Sequence, residues 1–414
     1  MTIFEGGATY EQIEALGGAR GAESDLRSIT SAGFAVYRPM RVGDRNRYWI
    51  LEPVRHILKA YLLPEDRNAA QDGRLAHSVW FAQRALPRLG TANAIDWLVE
   101  LESEHSNFRN ALRWSLESRQ PRLGLDLAVA LFQFWNLHGH LSEGRKWLQD
   151  CLEAAGDDVP AALRAKALNR IASFDRLVGD YPAARSKYLQ VVALAPPDSD
   201  PWNRSFAENG LGLIELEAGD PEAARRLFES SLDIRSHRGL RGGEAVCLTN
   251  LGDVAVRVGQ SSSDARRLHN DALNIRLEIG DVPGIPITLL KLAQLDVSDS
   301  DPSAAARNLR EAVLRFREIN DGKSFPPVCE LAASLAADSG RSRDAARLLD
   351  AAVSMRARYG VRRSWRDEQD VGRVETRIGR HSPLMPADSE RPLAAAAALD
   401  LAVEVAEGLL FGPT

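Results

Sequence analysis

One cadence governs this chain. A glycine or serine, usually followed by a polar residue, recurs at Gly139, Gly179, Gly219, Gly259, Ser300 and Gly340, in steps of 40, 40, 40, 41 and 40 residues. After each mark a small residue and then an arginine follow in register: Gly144-Arg145, Ala184-Arg185, Ala224-Arg225, Ala265-Arg266, Ala306-Arg307 and Ala346-Arg347. A supersecondary unit of this size cannot bury its apolar face alone, so repeated copies stack and build one continuous core. An array of units is therefore expected, since 414 residues exceed what one ordinary core organises.

The clearest unit runs from Glu208 to Arg235, "ENGLGLIELEAGDPEAARRLFESSLDIR". Leu211, Ile214 and Leu216 give one helical face before Gly219, and Ala224, Leu227, Phe228, Leu232 and Ile234 give a second after Pro221. Glycine tolerates the positive φ of a helix end, and proline suits the first helical turn, where its missing N–H costs nothing. Helix, tight turn, helix is the consequence. Small residues at Gly212 and Ala224 let the two backbones approach closely, and Leu227 and Phe228 fill the space beside them.

These features resemble the tetratricopeptide repeat. Gly212, Gly219, Ala224 and Phe228 match its pattern, as do Gly252, Gly259 and Leu268 one unit later. The usual period is about 34 residues, so lengthened second helices or connectors are expected, with "APPDSDPWN" (195–203) and "IGDVPGIP" (279–286) as the connectors. Ser300 stands where a glycine is expected, while Ala293 and Ala333 keep the small residue of the first helix. No such turn recurs past Gly360, where the array is expected to become irregular.

The N-terminal flank differs. Helical stretches over 9–16 and 22–30 precede two strands, "GFAVYRP" (33–39) and "RYWILEPV" (47–54), around the polar turn 41–46, and a helix over 53–63 would close a small winged-helix unit. The runs "RYWILEPVRHILKAYL", "DWLVELESEHSNFRNALRWSLE" and "LFQFWNLHGHLSEGRKWLQDCLEAA" resemble the region after the nucleotide-binding module in LuxR-type and AfsR-like bacterial regulators. Those are signal-transduction ATPases with numerous domains. The resemblance implies a winged helix that packs on an ATPase, followed by a tetratricopeptide sensor array. It also implies that "AARLLDAAVSMRARYG" and the helix around 398–409 lead towards a DNA-binding helix-turn-helix.

The fold class expected is mainly α: a tetratricopeptide-like right-handed superhelix of helix pairs with a small N-terminal winged-helix-like unit. The boundaries expected are a winged-helix-like unit over 1–63, a helical linker over 64–120, an array of six units over 121–360, and an irregular helical cap over 361–414. The chain is expected to be either a stand-alone relative or a piece of a longer regulator.

Several chemistries find little footing. The net charge of -5 supplies no field that gathers nucleic acid, and the first 62 residues balance eight basic side chains (Arg20, Arg27, Arg38, Arg41, Arg45, Arg47, Arg55, Lys59) against seven acidic ones. Gly322-Lys323-Ser324 lacks the first glycine of a phosphate loop, because Arg317 stands there, and it follows a helix instead of a strand. The cluster "GGARG" (17–21) reads as a loop. Cys151, Cys247 and Cys329 are far apart and odd in number, which reads as buried thiols of a reducing compartment. No targeting signal is read, and cytoplasmic placement is expected. Asp400, Glu404 and Glu407 interrupt the apolar stretch 393–411, so a helix packed on protein is expected there instead of a membrane span. His138 and His140 share an H-x-H spacing that reads as an ordinary turn, and Glu100 and Glu104 read as one solvated helix face. No catalytic, cofactor or metal residue is assigned, and no cofactor is expected.

Partner contacts are expected on the first helix of each pair, which lines the concave surface of such an array. The candidates are Asn169, Ser173, Arg176, Asn209, Glu217, Asp253, Arg257 and Gln294. A noncatalytic scaffold for a protein, peptide or small effector is the leading expectation, with nucleic acid and membrane not expected. The alternative is a truncated array recruited as a biosynthetic enzyme, with a pocket walled by some of Trp80, Trp97, Trp114, Trp135 and Trp147.

Overall fold

Each mark of the forty-residue cadence is the turn between two helices. The computed structural model describes residues 4, 6–17, 22–39, 46–379 and 393–411, and among them it has nineteen α-helices and one three-stranded sheet. The chain divides into two compact units, one of Met1–Leu89, Asn93–Phe134 and Lys146–Val159, the other of Gly90–Ala92, Trp135–Arg145 and Pro160–Thr414.

The first unit opens with β1 (Ala8–Thr9), α1 (Tyr10–Gly17), α2 (Ala22–Ser31), β2 (Ala35–Pro39), β3 (Asn46–Ile50) and α3 (Glu52–Tyr61). The sheet is antiparallel in the order β1-β3-β2, with Tyr37 opposite Tyr48 on one side of β3 and Ala8 opposite Tyr48 on the other. The short strand β1 carries no pattern of its own to announce it. The second strand stops at Ile50, earlier than the 47–54 run suggests, because Pro53 sits in the first turn of α3, where proline favours a helix start. Residues 41–45 of the expected turn and 18–21 of the glycine cluster lie outside the described residues.

Two long helices, α4 (Pro64–Ala85) and α5 (Ala94–Glu117), lead to α6 (Pro121–His138) and α7 (Leu141–Ala155). The sheet is tied to α5 by an ion pair between Arg47 and Glu104, both buried. Gln12 Nε2 and Asn107 Nδ2 donate to the same carboxylate at 2.9 and 2.8 Å, and Arg47 Nη1 donates to Ser103 Oγ at 2.8 Å. The solvated face expected at Glu104 is thus corrected: its carboxylate is enclosed by donors, which is how a buried charge is tolerated.

The second unit continues with pairs of helices: α8 (Ala161–Leu177) with α9 (Tyr181–Leu194), α10 (Pro201–Ala218) with α11 (Pro221–His237), and α12 (Arg241–Arg257) with α13 (Ser262–Ile279). Then come α14 (Gly284–Ser298) with α15 (Pro302–Glu318), and α16 (Phe325–Asp338) with α17 (Ser342–Tyr359). Gly219 ends α10 at φ 87°, and Asp220 caps α11 by accepting from the Ala223 amide at 2.9 Å. The ring of Phe228 rests where a Cβ on Gly212 would lie only 2.6 Å away, so the glycine is required for the close approach of α10 and α11. Leu216, Ala224, Phe228 and Val254 form the core beside them.

Three of the six register arginines link one pair to the next. Arg145 pairs with Asp175 at 2.6 Å, Arg185 with Glu215, and Arg266 with Asp296 at 2.6 Å, in each case thirty residues downstream. The connectors are held by a second set: Arg235 donates to the Gly243 carbonyl at 2.8 Å and Arg276 to the Gly284 carbonyl at 2.7 Å. After Gly360 the pattern of pairs ends, and α18 (Trp365–Arg377) and α19 (Ala395–Phe411) follow. The last helix packs on α15, α16 and α17, with Asp400, Glu404 and Glu407 paired to Arg317, Arg341 and Arg310 at 2.7, 2.7 and 2.8 Å.

Candidate functional site

Two residues before each of the last five marks of the cadence, the last turn of a first helix presents Leu177, Glu217, Arg257, Ser298 and Asp338. Four of these positions contact one stretch of polypeptide, residues 362–377, and Ser298 lines a cleft beside it. The Leu177 carbonyl accepts from the Arg362 amide at 3.3 Å. Glu217 Oε2 accepts from the Trp365 amide at 3.0 Å, and the Arg257 guanidinium lies 4.4 Å from the centroid of the Trp365 ring. Ser298 lines a cleft with Gln369, Gly372 and Arg373, and Asp338 pairs with Arg377. Both the main chain and the side chains of the segment are thus gripped.

Neighbouring groups complete the seat. Glu330 of α16 receives Arg356 Nη2 at 2.6 Å and Arg363 Nε at 2.8 Å, and Gln294 Nε2 donates to Asp367 Oδ1 at 3.4 Å. Burial pushes the Glu330 carboxyl above its ordinary range despite those arginines. It does the same to Glu217, against the Trp365 amide and the charge of Arg176. At Asp253 burial would raise the carboxyl, but Lys291 at 2.9 Å, with His269 and Arg366, outweighs it and holds the group low. Ser364 begins α18 with a capping box, its hydroxyl accepting from the Asp367 amide.

The eight expected contact residues therefore part company. Glu217, Arg257 and Gln294 touch the segment directly, and Asp253 acts through its charge on Arg366. Asn169 is fully buried and donates to the Asn203 carbonyl at 3.0 Å, while Ser173 bonds the Asn169 carbonyl and the Tyr188 hydroxyl. Asn209 accepts from Asn250 Nδ2 at 2.8 Å. Arg176 is half-buried, its charge acting on Tyr181, Tyr188 and Glu217. Asn169, Ser173 and Asn209 serve the stacking of the pairs, so the structure offers no open surface at these three.

Of the tryptophans, Trp135 is fully buried, whereas Trp80 and Trp97 wall a cavity of about 250 Å³ in the first unit, with His77, Phe81 and Arg47 among its other walls. Burial pushes the His77 imidazole below its ordinary value. All three cysteines are buried with free thiols, and burial pushes Cys151 up to about 12. Gly322-Lys323-Ser324 is a single 3-10 turn whose lysine pairs with Asp321 at 2.7 Å. Among the described residues no helix is long and apolar enough to cross a membrane.

Residues 203–276 match the family model of the tetratricopeptide repeat. That stretch is the unit read most clearly from sequence together with the one after it. Curated relatives in Mycobacterium tuberculosis and Mycobacterium bovis carry the provisional name HTH-type transcriptional regulator; each is 26% identical over 250 residues, which is 56% of this chain. The chain spans 27% of the length of those relatives. Among solved structures, a Rap protein complexed with competence and sporulation factor is similar at TM-score 0.50 and 13% identity, over 74% of this chain and 80% of that one. A signal-transduction ATPase with numerous domains and a tetratricopeptide sensor, from Pyrococcus horikoshii, is similar at TM-score 0.45 and 14% identity, over 91% of this chain and 61% of that one. The fold is a mainly α tetratricopeptide-like array with a small N-terminal sheet.

Proposed function

We propose that this chain is a noncatalytic scaffold of a bacterial signalling or transcriptional regulator, and that it seats a protein or peptide partner on the concave face made by its first helices. One observation carries this reading. A single register position, repeated along five first helices, supplies a carbonyl, a carboxylate, a guanidinium and a second carboxylate that hold one polypeptide segment, with Ser298 lining the cleft beside it. A row of alternating chemistry that bonds both main chain and side chains is what peptide recognition requires. The relatives named as regulators support the setting, and three buried free thiols agree with a cytoplasmic one. The N-terminal sheet and its helices are read as a winged-helix-like unit with a structural role, because Arg47, one of its basic residues, is enclosed by Glu104.

The test is photo-crosslinking in the natural host, with a photoreactive residue placed at Arg257 and, as a control, at exposed Arg226 on α11. A protein adduct that forms from position 257, fails from 226 and disappears with Glu217→Gln supports the scaffold. Adducts from neither position, or chiefly from 226, contradict it.

A further inference from the structure

The segment on the first-helix face belongs to the chain itself, and it is attached largely through polar contacts. Of the thirteen residues of α18 only Arg366, Val371 and Val374 are buried. That share is like that of the second helix α9, which buries three of its fourteen, and far below that of the first helix α16, which buries eleven of its fourteen. Apolar contact is made by Trp365 against the Leu216, Ala224, Phe228 and Val254 cluster and by buried Val371 and Val374. The other fastenings are polar: the Trp365 amide on Glu217, the Trp365 ring on Arg257, Arg363 on Glu330, Asp367 on Gln294 and Arg356, and Arg377 on Asp338.

The fit is incomplete. Arg366 is 5% exposed, yet its Nη1 has no hydrogen-bond partner among the described atoms, and a buried donor left unmatched is a standing cost. Beyond it, the second half of α18 stands over a cleft of about 860 Å³ between the ends of α14 and α16. A short segment with few buried residues, held largely by polar contacts at the edge of a cleft, is the kind that opens locally without unfolding its support.

Resting on the scaffold reading above, we propose that residues 361–377 are a displaceable occupant of the partner site, and that a partner takes the face by replacing them with a segment of the same chemistry. That chemistry is legible from the seat: a basic stretch with an aromatic ring for Arg257, arginines for Glu330 and Asp338, and a carboxylate for Gln294 and Arg356. In the resting chain the site is covered. The fraction of chains with the segment released sets how strongly a partner appears to bind.

The test uses the full chain and, as probe, a fluorescein-labelled synthetic peptide of residues 361–379. Arg363→Ala, Trp365→Ala and Asp367→Ala together loosen the occupant without touching the first helices. The peptide is expected to bind this triple variant at least tenfold more tightly than the wild type, and the gain is expected to vanish when Arg257→Ala and Glu217→Gln are added. Equal affinity for wild type and variant overturns the proposal. So does a gain that survives the two face substitutions, equal binding by a peptide of scrambled order, or a triple variant that dimerises through its own segment.

If the triple variant fails to fold, amide exchange on the wild type decides. Saturating peptide is expected to speed exchange in α18 while α10, α12 and α14 stay unchanged, and unaltered exchange in α18 overturns the proposal. The two readings fail separately. A partner crosslinked at position 257 equally in wild type and triple variant removes the occupant idea and leaves the scaffold. Peptide exchange without any crosslinked partner does the reverse.

Discussion

Ser300 holds a backbone conformation, φ 59°, that every other mark of the cadence gives to glycine. A side chain in the left-handed region costs roughly 1 to 2 kcal/mol, and the freer unfolded state of glycine offsets roughly 0.5 to 1 kcal/mol of the relief. Ser300→Gly is therefore expected to raise stability by about 0.5 to 1 kcal/mol, seen as a higher urea midpoint at unchanged slope; a lower midpoint would speak against the turn. His269 makes the opposite kind of demand. It is fully buried against Gly252, and burial pushes its imidazole from 6.5 down to about 4, with Asp253 pulling the other way. The unfolded imidazole takes a proton near pH 6.5 that the folded one refuses until about 4, so the stability tied to it is full above 6.5 and is lost as pH falls towards 4. The loss is worth about 3 kcal/mol. His269→Phe is expected to flatten that part of the stability curve in urea titrations run at about pH 7 and pH 4.5, and an unchanged slope with pH would remove the assignment.

At the scale of the element, the register arginine explains itself only in three dimensions. Arg266 reaches Asp296, which is 1% exposed, and Asp299 at 2.7 Å, whereas thirty residues after Arg225 stands Ala255, and Arg225 turns to Glu222 of its own helix at 3.7 Å. Arg266→Ala leaves the buried Asp296 carboxylate with Asn308 Nδ2, at 2.7 Å, but without its cation and is expected to cost about 1 to 3 kcal/mol, while Arg225→Ala is expected to stay within about 0.5 kcal/mol. Comparable losses in thermal melts of the two variants would contradict the linking role. The helix pairs were legible in sequence because their ends are local chemistry: a residue at positive φ at every mark, followed at Gly179, Gly219 and Ser300 by an aspartate cap and a proline. Asn169, Ser173 and Asn209 were misplaced on the open face because helical positions three or four apart share a side, and sequence alone does not say which side the next pair covers. Glu217 and Arg257, both among the expected contact residues, touch the chain's own segment 362–377, and they share their register with Leu177, Ser298 and Asp338, a regularity also present in the sequence. The match between α18 and the first helices depends on contacts across about 150 residues, such as Trp365 to Glu217, and leaves no local pattern.

For the molecule as a whole, the forty-residue cadence is the claim on which the rest stands. If each pair touches chiefly its neighbours, stability is close to a sum over units and interfaces, and one whole unit is removable where a fraction of one is not. Deleting Gly219–Val258 joins Ala218 to Gly259, so that a first helix again meets a turn glycine and a second helix, and His269 faces Gly212 as it now faces Gly252. Deleting only Gly219–Arg238 joins α10 to the connector before α12 and puts two first helices in sequence. Thermal melts followed by far-ultraviolet circular dichroism compare the two deletions directly. The whole-unit deletion is expected to keep the helical signal per residue of the parent chain and to melt cooperatively, while the half-unit deletion loses both. Equal damage from the two would contradict the array of stacked pairs, and with it the face on which we propose that a partner is seated.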